Sequence, residues 1–499
     1  MGLLIGDIVT QAARMAPTAI AATLAGERVT FRDLDAQANR AANALAGLGV
    51  RHGDRVAWCA APTLRVLDFF LGCARLGAVF APINPALSTE ELAAVVSYVD
   101  PRVLITDRAD APADVPLASV GAPAPGPRVD TLARAASAAP PDGHDRVTDT
   151  DPHILYLTSG STGRPKGALV SHRASWLRAA PGGGTFTQGL RGQGGVLCSF
   201  PLYHYGGWHY VLEAWQNRVA VHLVRRADAT EIIDVAQRER PSAMYCIPAV
   251  WERVLDPEHR GADLSSLRHA DTGTSSVSLD LLHRIKERLP HTTTTVLYGS
   301  TEAGRMAALP DSHLFAKPGS VGLPAFPNAL WVDAPAGEVG EVCVSGPGLM
   351  AGYHNLPQET ADALRDGVYR SGDLGYLDEE GYLHLTGRRR EVIRSGGETI
   401  SPVEVENALR DLPGVCDVAV VGLPDERWGE VVCAVLVLRP GAPAPDLATV
   451  RSHVAGRLAR FKQPRRLAVV PEIPRTPATG QIQRARLRAT LLETPGYLR

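Results

Sequence analysis

The sequence lacks the features that mark disulfide-rich, zinc-binding and membrane-spanning proteins. Its seven cysteines are scattered and odd in number, and none belongs to a Cys-x-x-Cys pair. A disulfide framework or a zinc site is therefore not expected. No apolar run reaches about 18 residues, the length that crosses a bilayer, and the N-terminal stretch has no basic start typical of a signal peptide. We expect a cytoplasmic protein without a membrane span.

The sequence also lacks an excess of charge of either sign. Lys and Arg total 51, Asp and Glu total 53, and the net charge is −2. Because nucleic-acid-binding proteins usually carry a basic face, no nucleic-acid partner is expected. With 499 residues, 45% of them hydrophobic, the chain can bury a large core and form more than one domain. The composition does not indicate an oligomeric state.

Alternating helical and strand-like patterns fill most of the chain. Apolar residues recur at helical spacing from Leu34 to Leu48, the stretch "RVAWCA" is typical of a buried strand, and "LRVLDFFLGCARLGAVFAPIN" indicates a helix followed by a strand. Such alternation favours βαβ units and parallel sheets. Residues 107–150 are rich in Ala, Pro and Asp and indicate a surface connector. We predict an α/β protein whose large N-terminal domain of βαβ-type sheets covers residues 1–389.

The pattern changes near Arg390. Ser401, Pro402 and Glu404 predict a helix that starts with a capping box, and the strand-like runs "CDVAVVG" and "EVVCAVLVL" follow. The stretch "DLATVRSHVAGRLARF" then predicts a helix. These elements predict a small α+β C-terminal domain over residues 390–499, of ordinary size for a small domain.

One Gly-rich loop has the composition of a phosphate site. In "ILYLTSGSTGRPKGALVSH", an apolar strand leads into small and hydroxyl residues and then Lys166. Small residues let backbone N–H groups approach phosphates, and a lysine adds charge. A Walker A loop is excluded because Gly167, not Ser or Thr, follows Lys166. The alternative is a polar surface hairpin.

Two further loops favour a nucleotide. In "TTTTVLYGSTEAG", Tyr298 follows a strand and can stack on a base, while Glu302 can hold Mg²⁺ on phosphate oxygens. In "YRSGDLGYLDEEGYLHLTGRRREVI", Asp373 and Arg388 are opposite charges on a strand pair and can bracket a ribose. The alternatives are a solvated Glu302 and a hairpin whose Asp and Arg meet only water or each other.

Together these motifs resemble the signature blocks of the adenylate-forming superfamily. That superfamily comprises acyl-CoA synthetases, nonribosomal adenylation domains and luciferases. The blocks "YLTSGSTGRPKG", "YGSTEAG", "YRSGDLGYLDEEGYLHLTGRRREVI" and "RSGGETISPVEVE" occur in the family's order. The resemblance runs from "TFRDLDAQANRAANAL" to the last helix. Within the superfamily, the motifs most resemble those of acyl-CoA synthetases.

The resemblance implies an ATP- and Mg²⁺-dependent ligase. Such an enzyme joins a carboxylic acid to ATP, releases pyrophosphate and passes the acyl group from AMP to CoA, while a small, mobile C-terminal domain rotates between the two steps. One alternative delivers the acyl group to an amine or a carrier-protein thiol. Another, of a different class, is a nucleotide-binding pseudoenzyme that has lost adenylation.

The resemblance also assigns roles to individual residues. Thr301 would touch the α-phosphate, Glu302 would hold Mg²⁺, and Arg390 stands at the hinge position. The phosphate loop would consist of Thr158, Ser159, Gly160, Ser161, Thr162, Gly163 and Lys166. The adenosine would contact Thr274, Ser275, Tyr298, Gly299, Ser300, Asp373 and Arg388. Most relatives read Gly-Gly-Ala-Pro where this chain has Gly273–Ser276.

The resemblance also implies an acid pocket and a CoA tunnel. His204 would lie beside the reacting carboxylate, and Tyr205, Gly207 and Trp208 would shape the wall of the acid pocket. That wall suits a small, aromatic or medium-sized acyl group. Gly396 and Gly397 would keep the CoA tunnel open.

The last loop departs from the family. Relatives place a lysine in "Thr-Gly-Lys-Ile", where it contacts the carboxylate and α-phosphate oxygens, and this chain has Gln481. A glutamine amide still donates hydrogen bonds but carries no charge. Four explanations are open: an engineered substitution, replacement by Lys462 or a nearby arginine, an unusual acid or acceptor, and loss of turnover.

Overall fold

The structure is a computed structural model that describes residues 2–112, 114–120, 124–158, 166–180, 194–389, 391–395, 398–476 and 480–498. Its helices are α1 (Ile5–Met15), α2 (Phe31–Gly47), α3 (Arg65–Leu76), α4 (Thr89–Val99), α5 (Val129–Ala135), α6 (His172–Arg178), α7 (Tyr205–Gln216), α8 (Ala229–Glu239), α9 (Pro248–Val254), α10 (Leu279–Arg288), α11 (Pro357–Ala363), α12 (Pro402–Leu409), α13 (Leu447–Val454) and α14 (Arg484–Glu493).

The strands are β1 (Ile20–Leu24), β2 (Glu27–Thr30), β3 (Arg55–Cys59), β4 (Val79–Pro82), β5 (Val103–Thr106), β6 (Leu117–Ser119), β7 (Pro152–Thr158), β8 (Lys166–Ser171), β9 (Val196–Cys198), β10 (Val221–Leu223), β11 (Ala243–Tyr245), β12 (His269–Gly273), β13 (Val296–Ser300), β14 (Gly304–Leu309), β15 (Ser320–Pro324), β16 (Ala329–Asp333), β17 (Gly340–Ser345), β18 (Gly352–Tyr353), β19 (Leu364–Arg365), β20 (Val368–Leu377), β21 (Leu383–Arg388), β22 (Ile393–Ser395), β23 (Glu398–Ile400), β24 (Val415–Asp425), β25 (Gly429–Leu438) and β26 (Arg466–Val469).

The chain divides into two compact units. The first comprises Met1–Pro318, Gly322–Leu330 and Val344–Arg370, and the second comprises Gly319–Val321, Trp331–Cys343 and Ser371–Arg499. A division by compactness does not locate a hinge, so the boundary between residues 389 and 390 stays a prediction. Arg390 itself lies outside the described residues.

The first unit contains two largely parallel strand arrays. One runs in the order β2-β1-β10-β9-β11-β12-β13-β14, with parallel pairing from β1 to β13. The other runs β18-β8-β7-β4-β3-β5-β6, with parallel pairing from β7 to β6. Parallel strands require crossover connections, which the helices between them supply. The predicted α/β class with βαβ-type sheets is confirmed.

The second unit has a sheet of its own. Strands β23-β22-β25-β24 pair antiparallel, and β26 joins β25 in parallel. Apolar side chains cover both faces of β24 and β25, with Val420 on one side and Val421 on the other. The predicted small α+β domain is therefore present, and its mobility stays a prediction.

Two local predictions in the second unit need correction. Ser401 accepts a hydrogen bond from the Glu404 N–H and caps α12 as predicted. The other half of the capping box, from the Ser401 N–H to the Glu404 carboxylate, is not formed between these two described residues, and that carboxylate accepts from Lys462 over 2.6 Å instead. The helix predicted through "DLATVRSHVAGRLARF" ends at Val454. Gly456 adopts a φ of +84°, a left-handed conformation that stops an α-helix.

The seven cysteines are all free thiols. Cys416 is exposed, and the other six are buried. Burial raises the pKa of Cys59 and Cys198 to about 12, so these thiols stay protonated and unreactive. Among the described residues, no helix is both long and apolar enough to cross a bilayer.

Candidate active site

The candidate phosphate loop starts and ends on a hairpin of the first unit. Strands β7 and β8 run antiparallel, with Thr158 and Lys166 as the last paired residues before the loop. The Thr158 hydroxyl donates to the Lys166 carbonyl oxygen over 3.3 Å. The predicted loop residues lie outside the described residues: Ser159, Gly160, Ser161, Thr162 and Gly163. Their role stays a prediction.

Lys166 and Glu302 both contact Tyr353. The Lys166 Nζ lies 5.1 Å from the Tyr353 ring centroid, an attractive cation–π geometry. The Tyr353 hydroxyl donates to Glu302 Oε1 over 2.8 Å. Tyr353 belongs to β18, which pairs with Ala168 of β8. Two residues 136 positions apart in the sequence therefore share one tyrosine, which sequence reasoning missed because no motif surrounds it.

Arg178 holds the backbone that presents Thr301 and Glu302. Its guanidinium is buried and donates to the carbonyl oxygens of Gly348 (2.6 Å), Thr301 (3.0 Å) and Glu302 (2.7 Å). A guanidinium carries five N–H donors in a rigid fork, so one side chain can hold several carbonyls. Sequence reasoning missed Arg178, because one arginine at a helix end is usually a solvated charge.

Strands β12 and β13 bring two predicted nucleotide segments to one sheet edge. Gly273 pairs with Leu297 in this parallel pair. Thr274 and Ser275 therefore follow β12 at the edge where β13 ends. The residues that end β13 there are Tyr298, Gly299 and Ser300.

Two glycines at this edge are required by the close packing of the backbone. A Cβ on Gly273, whose φ is +147°, would lie 2.0 Å from the Leu297 carbonyl oxygen. A Cβ on Gly299 would lie 2.2 Å from the carbonyl oxygen of Gly304. Since real Cβ atoms do not approach that closely, both positions require glycine. The glycines therefore allow β12, β13 and β14 to pack closely at this edge.

The residues predicted to line the acid pocket lie at the start of α7. His204 is its N-cap residue, and burial lowers the pKa of the imidazole to about 4, so the ring is neutral at pH 7. A Cβ on Gly207 would meet the Pro201 carbonyl oxygen at 2.8 Å. Trp208 is fully buried and stacks on Phe70 with ring centroids 3.8 Å apart. The roles of these residues as pocket walls stay predictions.

A row of polar side chains follows one face of α7, with His209 and Glu213 buried and Tyr205 partly buried. Tyr205, His209 and Glu213 are spaced four residues apart, which aligns them on a helix. The Tyr205 hydroxyl lies 3.3 Å from His209 Nδ1, and Arg305 Nη2 lies 3.0 Å from His209 Nε2. Burial raises the pKa of Glu213 to about 7. The regular polar spacing in an otherwise apolar helix was a signal that sequence reasoning missed.

Asp373 and Arg388 form an ion pair in the second unit. They are paired residues of the β20–β21 hairpin, and Arg388 Nε donates to Asp373 Oδ1 over 3.0 Å. Pairing with each other was the alternative to ribose binding. Ribose binding stays a prediction.

Two hydrogen bonds join the backbone of Gln481 to Thr476. Its N–H donates to the Thr476 hydroxyl over 3.0 Å, and its carbonyl oxygen accepts from the Thr476 N–H over 2.8 Å. Gly480 has a φ of +67°, which the turn requires. The side chain of Gln481 is half-buried. The backbone thus fixes where residue 481 stands.

Four cationic side chains of residues 462–488 have carboxylate partners. The pairs are Lys462 with Glu404 (2.6 Å), Arg475 with Asp417 (2.8 Å), Arg484 with Glu406 (2.7 Å) and Arg488 with Glu430 (3.0 Å). Lys462 is also the only lysine of residues 371–499 in the sequence. Replacement of the missing charge by one of these side chains would therefore require breaking an ion pair.

The candidate magnesium site has a single protein carboxylate, Glu302, and is not a cage of several protein ligands among the described residues. The described residues contain no cluster of three or more His, Cys, Asp or Glu side chains that could hold a metal. Magnesium is usually held by one or two carboxylates together with substrate phosphates and water. A single carboxylate oriented by Tyr353 is consistent with that type of site.

Comparisons with known proteins identify the family. Residues 9–354 match the model of the AMP-binding enzymes, and residues 404–479 match the model of the AMP-binding enzyme C-terminal domain. The indoleacetate–CoA ligase of Aromatoleum aromaticum is 35% identical, covering 92% of each chain. A feruloyl-CoA synthase from an Amycolatopsis species is 34% identical, covering 97% of this chain and 98% of that protein.

A solved structure extends the likeness to the whole fold. The o-succinylbenzoate CoA synthetase MenE from Bacillus subtilis, in complex with ATP and a magnesium ion, is 27% identical with a TM-score of 0.84. The match covers 97% of this chain and 99% of that chain. The chain therefore belongs to the AMP-binding enzyme family, and it is an AMP-forming acid ligase.

Proposed function

We propose that this ligase joins an aryl or arylalkyl carboxylic acid to CoA through an acyl-adenylate. The observation that carries the proposal is the joint contact of Lys166 and Glu302 with Tyr353 beside the candidate phosphate loop. A cation and a carboxylate at one place suit a polyphosphate bound with Mg²⁺. The two curated relatives named above are CoA ligases or synthases for indoleacetate and ferulate, both aromatic acids.

Adenylation requires charge neutralisation more than covalent help from the protein. A carboxylate attacks an α-phosphorus surrounded by negative oxygens, so the site must lower that charge and align the attack. Lys166 and the backbone after Thr158 are proposed to bind the β- and γ-phosphates, and Thr301 the α-phosphate. Glu302 is proposed to hold Mg²⁺, which supplies further positive charge when bound.

The nucleoside is proposed to lie along the edge formed by β12 and β13. Tyr298 stacks on the adenine ring, and Asp373 and Arg388 bind the ribose in this proposal. The contacts of Thr274, Ser275 and Ser300 are proposed to be polar.

The aromatic surroundings of Tyr205 support an aryl substrate. Tyr156 meets Tyr205 edge-to-face with centroids 5.7 Å apart, and Phe200 stacks on Tyr245 at 5.2 Å. Aromatic rings pair favourably with one another in such geometries. A neutral His204 beside them would contact the acid without trapping it as an ion pair.

CoA is the proposed acceptor, and the cytoplasm the proposed compartment. Gly396 and Gly397, which would keep the CoA tunnel open, lie outside the described residues. Seven free thiols are consistent with a reducing compartment, where disulfides do not persist. An amine or a carrier-protein thiol is the acceptor to be excluded by experiment.

Pyrophosphate release from ATP with a panel of aryl acids tests the proposal. We expect release that requires acid and Mg²⁺, followed by a CoA thioester when CoA is added. ATP binding without release of AMP or pyrophosphate for any acid would contradict the ligase and leave a nucleotide-binding protein. Acyl-adenylate that reacts with an amine or a carrier protein, but not with CoA, would contradict only the acceptor.

A further inference from the structure

Buried polar groups connect β14 with the first turn of α7 inside the first unit. Arg305 Nη2 lies 3.0 Å from His209 Nε2 and 3.7 Å from Glu213 Oε1. Tyr205 Oη lies 3.3 Å from His209 Nδ1. The side chains of His209 and Glu213 are only 6% and 2% exposed. The three residues Arg305, His209 and Tyr205 therefore form a relay, named here the Tyr205 relay.

The chemistry of arginine determines the direction of every hydrogen bond in the Tyr205 relay. A guanidinium only donates, so His209 Nε2 must accept from Arg305. Burial, together with the positive charges of Arg305 and Arg178, holds the pKa of His209 well below its usual value. The neutral ring therefore carries its proton on Nδ1 and donates to Tyr205 Oη. The Tyr205 hydroxyl hydrogen is consequently left to donate elsewhere.

No acceptor for that hydrogen is present among the described residues. Within that part of the chain, His209 is the only hydrogen-bonding partner of the Tyr205 hydroxyl. Arg305 Nε is also buried without a partner there. The Tyr205 hydroxyl and Arg305 Nε are thus donors without an acceptor in the described part of the chain, and a buried donor without an acceptor is costly. Such an arrangement fits a ligand that brings an acceptor.

The Tyr205 relay borders the candidate nucleotide loop. Arg305 is paired with Gly299 in the β13–β14 hairpin. On the other side, the Arg178 guanidinium lies 5.1 Å from the Tyr205 ring centroid and also holds the Thr301 carbonyl oxygen. Tyr205 therefore stands between the loop that would bind the α-phosphate and the body of α7. An acid placed for adenylation would extend past this hydroxyl.

We propose that the Tyr205 relay selects acids that carry a hydrogen-bond-accepting oxygen on the acyl group, apart from the reacting carboxylate. Tyr205 donates to that oxygen, and His209 and Arg305 are positioning residues that orient the donor. Methoxy, hydroxyl and keto substituents on an aryl acid have the required chemistry. The inference rests on the proposed function, since it assigns a substrate feature to the same site.

Matched pairs of acids test the proposal. The positional isomers of methoxyphenylacetate and ethylphenylacetate have similar size, and only the first set offers an acceptor oxygen. The readout is the ratio of kcat/KM for the preferred methoxy acid to that for its ethyl counterpart. We expect a ratio above one in the natural protein and a decrease of about tenfold in Tyr205→Phe, which removes one hydrogen bond.

Variants of His209 separate orientation from packing. In His209→Gln, the amide oxygen accepts from Arg305 and the amide N–H donates to Tyr205, so the ratio should be largely kept. In His209→Phe, both hydrogen bonds are lost, and the ratio should fall as in Tyr205→Phe. Tyr203→Phe removes a hydroxyl two residues away and should leave the ratio unchanged.

Each outcome decides a different point. Equal conversion of methoxy and ethyl acids by the natural protein overturns the inference and leaves the ligase proposal standing. An unchanged ratio in Tyr205→Phe also overturns it and leaves these residues a structural ion-pair cluster. Release of pyrophosphate with no acid at all overturns the proposed function and this inference with it. If His209→Phe does not fold, Tyr205→Phe and His209→Gln decide.

Discussion

Gln481 stands at the position where the resemblance to the family implies a lysine. Lys462, Arg475 and Arg484 are each paired with a carboxylate, so none of them can supply the charge of the lysine that the resemblance implies without breaking an ion pair. Gln481→Lys should therefore raise the rate of acid-dependent pyrophosphate release by about 10²-fold. The measurement is ATP–pyrophosphate exchange with a saturating aryl acid.

Gln483→Lys is the matched control for that change. Gln483 stands two residues away at the N-cap of α14 and makes no side-chain cap. The Gln483→Lys variant adds the same charge at a residue that is not bonded to Thr476 through residue 481, so the rate of pyrophosphate release should stay near that of the natural protein. An equal rate for Gln481→Lys and the natural protein would indicate that another residue or another chemistry has replaced the lysine.

Arg178 allows a second prediction at the scale of one residue. Lysine at this position keeps the charge but cannot hold three carbonyl oxygens, so the backbone at Thr301 and Glu302 should shift. We expect Arg178→Lys to lower kcat for adenylation about 10- to 100-fold, with a smaller change in the KM for the acid.

Arg173→Lys serves as its control on the same helix. Arg173 is half-exposed and pairs with Asp149 at 3.0 Å, away from these carbonyl oxygens. A fall in kcat of equal size in both variants would mean that α6 as a whole, and not the three carbonyl contacts, matters.

The β13–β14 hairpin leads to a prediction at the scale of an element. Gly299→Ala would place a Cβ against the Gly304 carbonyl oxygen, which cannot move without breaking the pairing of Ser300 with Gly304. We expect kcat/KM for ATP to fall about 10²-fold, since small displacements of a binding loop have effects of that size. Gly261→Ala, in open space with an ordinary φ, should leave it unchanged. Similar losses in both variants would contradict the role of the hairpin.

Elements were easier to predict from sequence than the contacts between them. β7 and α3 each follow from a local apolar pattern, so their positions were predictable. β13 was expected to end before Tyr298, but it spans Val296–Ser300 and includes that residue. α13 was predicted too long because its apolar spacing continues past Gly456, where the backbone turns left-handed. Local pattern could not reveal Tyr353 beside Glu302, or Arg178 beneath Thr301, because those contacts join distant segments through the sheet topology.

At the scale of the molecule, buried histidines make the stability of the first unit depend on pH. His172 accepts from the Ile5 N–H over 3.2 Å, and burial lowers its pKa to about 4. The unfolded chain binds a proton near pH 6.5, whereas the folded chain does not until about pH 4. The stability that His172 contributes is thus complete above pH 6.5 and is lost as the pH falls towards 4, by about 3 kcal/mol.

Hydrogen exchange of the segment around α1 measures that loss. His172→Asn keeps an acceptor for the Ile5 N–H but does not titrate in this range. Protection of the segment should fall between pH 7 and pH 5 in the natural protein and change less in the variant. Identical pH dependence in both would assign the effect to other groups.

The distribution of thiols has a practical consequence for experiments on the whole molecule. Six cysteines are buried and only Cys416, on β24 of the second unit, is exposed. A maleimide dye should therefore attach at one position without any cysteine having to be removed by mutation. A single dye on the smaller unit would test the predicted rotation between half-reactions, because its fluorescence can be followed as ATP, acid and CoA are added in turn.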